Sequence, residues 1–150
     1  MHAARKFFSV SLLLFLLIGG SVSDSFGGEY EGVKVTPLIK TTTSTDGQKL
    51  SYPKLDNPEV TALIVEIPPG GETGWHLHPV AVYAYVLSGS LTIEMENGKR
   101  YSFKEGDAII EVVNTPHNGI NTGQVPVKLV VFYTGELEKP TTVKVKRKYQ

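Results

Sequence analysis

The chain contains no cysteine. Disulfides, thiolate nucleophiles and cysteine metal sites are therefore excluded, and any metal must be held by nitrogen and oxygen donors. It also lacks an excess of either charge: 15 Lys and Arg balance 15 Asp and Glu. No long run of one sign occurs, so the electrostatic footprint of a nucleic-acid partner is missing. The short basic stretch Lys144-Val145-Lys146-Arg147-Lys148 reads as a solvated terminal strand or fraying end. After residue 24 no window carries a helical period. Histidine is scarce as well, with four in the whole chain, one of them at position 2.

What is present at the N-terminus is a targeting pattern. Arg5 and Lys6 precede an apolar run over residues 7–18, and Gly19-Gly20-Ser21-Val22-Ser23 supplies small residues for cleavage. Residues 1–23 read as a secretory signal peptide, with residues 24–32 a flexible leader. The alternative is an uncleaved membrane anchor; the run is short of the roughly 20 residues a span needs, and no stable insertion is expected after cleavage. The mature protein is expected to be secreted or periplasmic.

From Val33 onward the pattern is β. Strands are expected over residues 33–40, 48–52, 59–67, 73–78, 80–87, 90–96, 99–103, 108–113, 117–121 and 127–134, with a last edge strand at 141–145. Asp46-Gly47, Ser88-Gly89, Asn97-Gly98, Gly106-Asp107 and Asn121-Thr122-Gly123 punctuate them, and Asn-Gly is the strongest short hairpin signal. Many short strands without helices indicate an antiparallel sandwich or barrel spanning residues 33–145, followed by a basic tail at 146–150.

Two of the three histidines beyond the signal region stand one residue apart, in Gly74-Trp75-His76-Leu77-His78-Pro79; the third is His117. On a strand His76 and His78 point to one face. Together with His117 they make a candidate divalent metal site, for Fe, Mn, Ni, Cu or Zn, because imidazole suits all of them. A metal-free barrel with hydrogen-bonded core imidazoles is the alternative.

These residues also sit in register with two gapped motifs, and on them the chain resembles the cupin superfamily. Gly70 precedes His76-Leu77-His78 by five residues and Gly89 closes the first motif; Gly106 opens the second, which His117 and Asn121 end. The resemblance spans roughly residues 60–132. It implies a double-stranded β-helix, a small jelly-roll barrel with a metal near its mouth. Two positions depart from the family pattern. The motif glutamate falls at Val82, which cannot ligate, and the Pro-x-Gly turn is Val112-Val113-Asn114. Asn is the next best residue to Gly for a positive backbone angle.

A carboxylate does occur nearby, in Ala108-Ile109-Ile110-Glu111-Val112-Val113. An acid in such an apolar strand is costly to bury unless paired or metal-bound. Glu111 either faces the pocket, replacing the missing carboxylate as ligand or general base, or points to solvent. Val82, Ala84 and Val86 are expected to shape the pocket. Asn121 and Asn118 are pocket polar groups or turn residues. Residues 80–87 are apolar on both faces, so both need cover, and a homodimer packing outer sheet faces together would supply it. The functions in view are a metal-dependent small-molecule enzyme, such as a dioxygenase, and a non-catalytic barrel that captures a sugar or organic acid. A sugar-phosphate isomerase fits poorly, since few basic residues accompany the motifs.

Overall fold

A computed structural model describes residues 32–147. The expected signal peptide, and the leader up to residue 31, lie outside the described residues. Among the described residues nine strands form two antiparallel sheets. Four of them, β1 (Pro58–Ile67), β3 (Ala81–Ser88), β6 (Ala108–Ile110) and β8 (Val127–Glu136), make a sheet ordered β1-β8-β3-β6. The other five are β2 (His76–Leu77), β4 (Ser90–Met95), β5 (Arg100–Lys104), β7 (His117–Asn121) and β9 (Val143–Lys144), ordered β5-β4-β7-β2-β9. No helix occurs among the described residues. The architecture is the double-stranded β-helix.

Sequence chemistry accounts for most of these boundaries. Asn97-Gly98 closes the β4–β5 hairpin, with Gly98 at φ 81°. β3 alternates cleanly: Val82, Ala84 and Val86 are buried, while Ala81, Tyr83 and Tyr85 between them are only half-buried. The inward row packs with Leu91, Ile93 and Met95 of β4 and with Leu129 and Val131 of β8. Each fully buried aliphatic side chain contributes about 1.5–3 kcal/mol. Gly89, at φ 79°, turns β3 into β4 where a Cβ would lie 2.7 Å from the Pro126 carbonyl oxygen. Only a residue without a side chain fits that crossing.

The first part of the chain departs from expectation. Residues 33–40 form no strand, and Val33, Val35, Leu38 and Ile39 are exposed. Their alternation suits a strand, but no strand among the described residues pairs with them. The candidate strand at 48–52 is reduced to a single bridge between Thr43 and Lys49. The Asp46-Gly47 turn forms as expected, with Gly47 at φ 91°. The segment instead straps the edge strand β6. Thr45 donates to the Ile110 carbonyl from both its backbone N–H (2.9 Å) and its hydroxyl (2.8 Å). The Gln48 side-chain amide then pairs with the Val113 backbone, accepting at 3.1 Å and donating at 3.4 Å. This covers groups that an edge strand otherwise leaves open.

Candidate metal centre

The strand pairing of β2 with β7 sets His76 opposite His117. His78 lies just past β2, bridged to Val113. The Asn114 N–H donates to the His78 carbonyl at 2.8 Å. Asn114 has φ 53°, the left-handed conformation expected where the motif glycine is replaced. The three rings converge, with centroids 4.4–5.1 Å apart, and one donor atom from each lies within 4.8 Å of the others. All three residues are buried.

The opposite side of each ring is already engaged. His76 Nδ1 lies 2.7 Å from the Gly74 carbonyl, His78 Nδ1 2.9 Å from the Thr141 carbonyl, and His117 Nδ1 2.9 Å from the Thr115 carbonyl. A carbonyl only accepts, so each Nδ1 carries the proton and each Nε2 presents a lone pair inward. His76 Nε2 and His78 Nε2 are 3.2 Å apart, and the buried His117 Nε2 has no hydrogen-bond partner. Buried lone pairs facing one another are unfavourable unless a positive charge sits between them.

Glu111 turns into the same place. Its Oε2 lies 3.2 Å from His117 Nε2 and 3.4 Å from His78 Nε2. Glu111 follows β6, and its N–H continues the pairing by donating to the Val82 carbonyl at 3.0 Å. The carboxylate thus comes from the strand beside Val82, the position where the motif glutamate would stand. In the neutral tautomer that Thr115 imposes on His117, its contact with Glu111 is repulsive. It becomes favourable only with a proton on the ring or a cation between the two. Burial alone would lower His117, but the Glu111 carboxylate outweighs it and raises that ring above its ordinary value. Burial alone would raise Glu111, yet the two imidazoles at its carboxylate hold it down to about 2. His76, farther from the acid, is pushed by burial down to about 4, against the pull of the Gly74 carbonyl. Burial and the Glu111 charge raise Tyr133.

These donors fit a divalent ion. A tetrahedral ion with ligand bonds of about 2.0–2.1 Å requires donor–donor separations of about 3.3–3.4 Å. Three of the six donor pairs match this, at 3.2, 3.2 and 3.4 Å, and the three imidazole donor atoms all lie within 4.8 Å of one another. The hydrogen bonds from Nδ1 to carbonyls are the outer partners that metal-ligating histidines characteristically have.

A cavity of about 50 Å³ adjoins the donors, walled by Leu91 and Ile93 of β4 and by Leu129, Val131 and Tyr133 of β8. It has room for one or two water-sized groups. A larger cavity of about 430 Å³ lies under residues 48–53, and Glu111 lines both. The expected pocket residues need correction on this point. Ala84 and Val86 are core residues that line neither cavity, and Val82 lines only the larger one. On the four-stranded sheet the apolar wall comes from β8 and β1, not from β3, since β8 lies between β1 and β3. Asn121 is no pocket group either. It is fully buried, and its side chain is engaged by backbone: Nδ2 donates to Ile67 and Val125 carbonyls and Oδ1 accepts from the Gly123 N–H, all at 2.9 Å. Asn118 donates to Glu72 at 2.7 Å. Tyr133, packed edge-on 5.4 Å from the His78 ring, was missed by sequence reasoning. Its inward parity in β8 was the available signal.

Fold and site together define a class of small β-barrels with a histidine-rich centre between two sheets. The family described as "Cupin domain" matches residues 63–133, which spans both histidine motifs and Glu111. Residues 63–133 are a cupin domain. Among solved structures, it resembles an oxalate decarboxylase from Lactobacillus farciminis (23% identity, 57% of this chain and 26% of that one, TM-score 0.51). A polyketide cyclase from Streptomyces resistomycificus matches at 23% identity over 60% of this chain and 62% of that one, TM-score 0.51. An uncharacterised protein with a double-stranded β-helix domain from Klebsiella pneumoniae matches at 21% over 63% and 90%, TM-score 0.51. At these identities the likeness concerns the fold alone. The chain spans less than two thirds of the length of the decarboxylase and the cyclase. No curated protein matches it.

Proposed function

We propose that this protein is a divalent-metal cupin in which His76, His78, His117 and Glu111 hold the ion, and that it acts on a small molecule. The observation that carries the reading is the convergence of three Nδ1-protonated imidazoles, their donor atoms within 4.8 Å of one another, with a carboxylate oxygen 3.2 and 3.4 Å from two of them. Glu111 supplies from β6 the negative charge that Val82 cannot supply from β3. Such an ion would provide Lewis acidity, or redox chemistry if it is iron, manganese or copper. The protein's own contribution is to fix the ring tautomers, keep the carboxylate ionised, and restrict the space at the donors to about 50 Å³. Glu111, shared by both cavities, is placed to accept a proton from a hydroxyl entering through the larger one.

The mature domain works outside the cytoplasm in this reading, and it pairs with a second copy. The outer face of the four-stranded sheet supports the pairing. Ala62, Phe132, Tyr83 and Ile110 form one row across it, and Ile64, Val130, Tyr85 and Ala108 the next.

Metal content and calorimetric titration test the centre. One ion per chain is expected, lost in the His76→Ala/His78→Ala double variant. Glu111→Gln should weaken affinity at least 10-fold. If it leaves both affinity and the pH dependence of binding unchanged, Glu111 is not part of the centre. Redox-active metal with dioxygen uptake would assign an oxygenase. A redox-inert ion with tight binding of a small acid or sugar and no turnover would assign capture.

A further inference from the structure

We propose that residues 141–147 are a positioning element for the metal centre. Their backbone orients the His78 imidazole, and Arg147 clamps them in place. The inference rests on the reading of the three histidines as metal ligands.

The rings differ in how they are held. His76 and His117 find their Nδ1 acceptors two residues away, at Gly74 and Thr115. Those contacts form wherever the local loop forms. His78 alone depends on a distant segment: the Thr141 carbonyl at 2.9 Å, 63 residues on, with the Thr142 hydroxyl at 3.2 Å. His78 also lies outside the β2 ladder, with one isolated bridge to Val113. Among the described residues, the Thr141 carbonyl and the Thr142 hydroxyl are the groups that meet its Nδ1 and so select its tautomer and ring angle.

The segment that delivers this carbonyl is itself lightly held. β9 pairs with β2 at only two positions, His76 with Lys144 and Leu77 with Val143, and the Val145 N–H adds a bond to the Trp75 carbonyl at 3.0 Å. Both β9 residues are exposed. The anchor lies beyond the strand. Arg147 donates to Glu94 Oε1 at 3.0 Å, and its guanidinium lies 4.9 Å from the centre of the Trp75 ring. Glu94 is buried, and it also accepts from Arg100 at 3.2 Å. A buried carboxylate is costly without cationic partners, so this pairing has a physical reason to persist. Arg147 therefore grips β4 through Glu94 and the His76 strand through Trp75. Coupling is reciprocal: an ion that fixes His78 must also hold residues 141–147 down.

The test compares wild type, Arg147→Ala, Arg147→Lys and a chain ending at Val145. Three measurements are made: Zn(II) affinity by chelator competition, nitrogen NMR of the histidine rings without metal, and trypsin cleavage after Lys144 and Lys146 with and without Zn(II). Arg147→Ala and the shortened chain should bind Zn(II) about 10-fold more weakly. Arg147→Lys should fall between, since lysine keeps the charge but not the planar stack. In Arg147→Ala only His78 should lose its uniform Nδ1–H tautomer. A general loosening of the fold would move all three rings, and that result counts against the proposal. Zn(II) should slow tail cleavage in wild type by about 10-fold, and less in Arg147→Ala. If Arg147→Ala does not fold, Arg147→Lys and Thr142→Val carry the comparison. Folded variants with wild-type Zn(II) affinity overturn this proposal and leave the metal centre standing. Wild type that binds no divalent ion overturns both.

Discussion

Asn121 offers a perturbation whose size can be worked from contacts. Its side chain makes three hydrogen bonds of 2.9 Å to backbone groups of Ile67, Gly123 and Val125, and the residue is fully buried. Its own backbone pairs with Gly70 and Gly71, at 3.0 Å each. One residue therefore joins the end of β1, the loop leading to the histidines and the turn before β8. Asn121→Ala removes three bonds worth about 1 kcal/mol each, and leaves buried groups unpaired at a further cost, for a total of about 3–5 kcal/mol. Asn121→Asp is nearly isosteric but sets an oxygen against the two carbonyls that Nδ2 served. It keeps only the Gly123 contact while ionised, so at pH 7 its cost should be about as large. A protonated Asp can donate one bond, so the folded state raises this group's pKa. Stability is then retained at low pH and lost as pH rises above about 4. Urea unfolding of metal-free protein at pH 7 and pH 4 reads both effects. The deficit of Asn121→Asp relative to wild type should shrink at pH 4. A deficit under about 1 kcal/mol at pH 7, or one indifferent to pH, refutes the reasoning. So does tighter metal binding by Asn121→Asp, which would mean that position 121 faces the centre.

Other outcomes follow from the same geometry. Burial holds His76 at about 4 when folded, against 6.5 unfolded. The unfolded chain therefore takes up its proton first as pH falls, and metal-free protein should lose about 3 kcal/mol between pH 6.5 and 4. His76→Gln should flatten that slope in chelator-containing urea titrations. Gly89→Ala must place a Cβ 2.7 Å from the Pro126 oxygen at φ 79°; thermal melts should show at least about 2 kcal/mol of destabilisation. Light scattering at micromolar concentration should give a dimer, and Phe132→Glu, a charge in the middle of the outer apolar rows, should give a folded monomer. A wild-type monomer would rule out the paired faces.

Much of the barrel was legible in the chain because its signals are local. Asn97-Gly98 marks a hairpin wherever it occurs, and the alternation in β3 and β8 follows from one face meeting the core. The spacing of His76 and His78 likewise needs only a strand. Other features depended on partners that no local pattern reveals. Residues 33–40 alternate like a strand, but no strand among the described residues pairs with them, so they form none. Glu111 faces in because it shares parity with buried Ile109 and continues the pairing of β6 with β3; counting back from His117, across the turn at Asn114, cannot reveal this. Val82, Ala84 and Val86 do point inward as their parity requires. Alternation cannot say, however, that β8 rather than β3 walls the small cavity, since strand order in the sheet decides that.

The donors have a further consequence through their origin. His76 and His117 belong to the five-stranded sheet, whereas Glu111 extends a strand of the four-stranded one. An ion gripping all of them would be a rivet through both leaves of the barrel, set at the end where β2 and β6 are only two and three residues long. Chelation would then do more than empty a site. It would let the leaves part there first, so the rate at which the barrel opens would report on its metal.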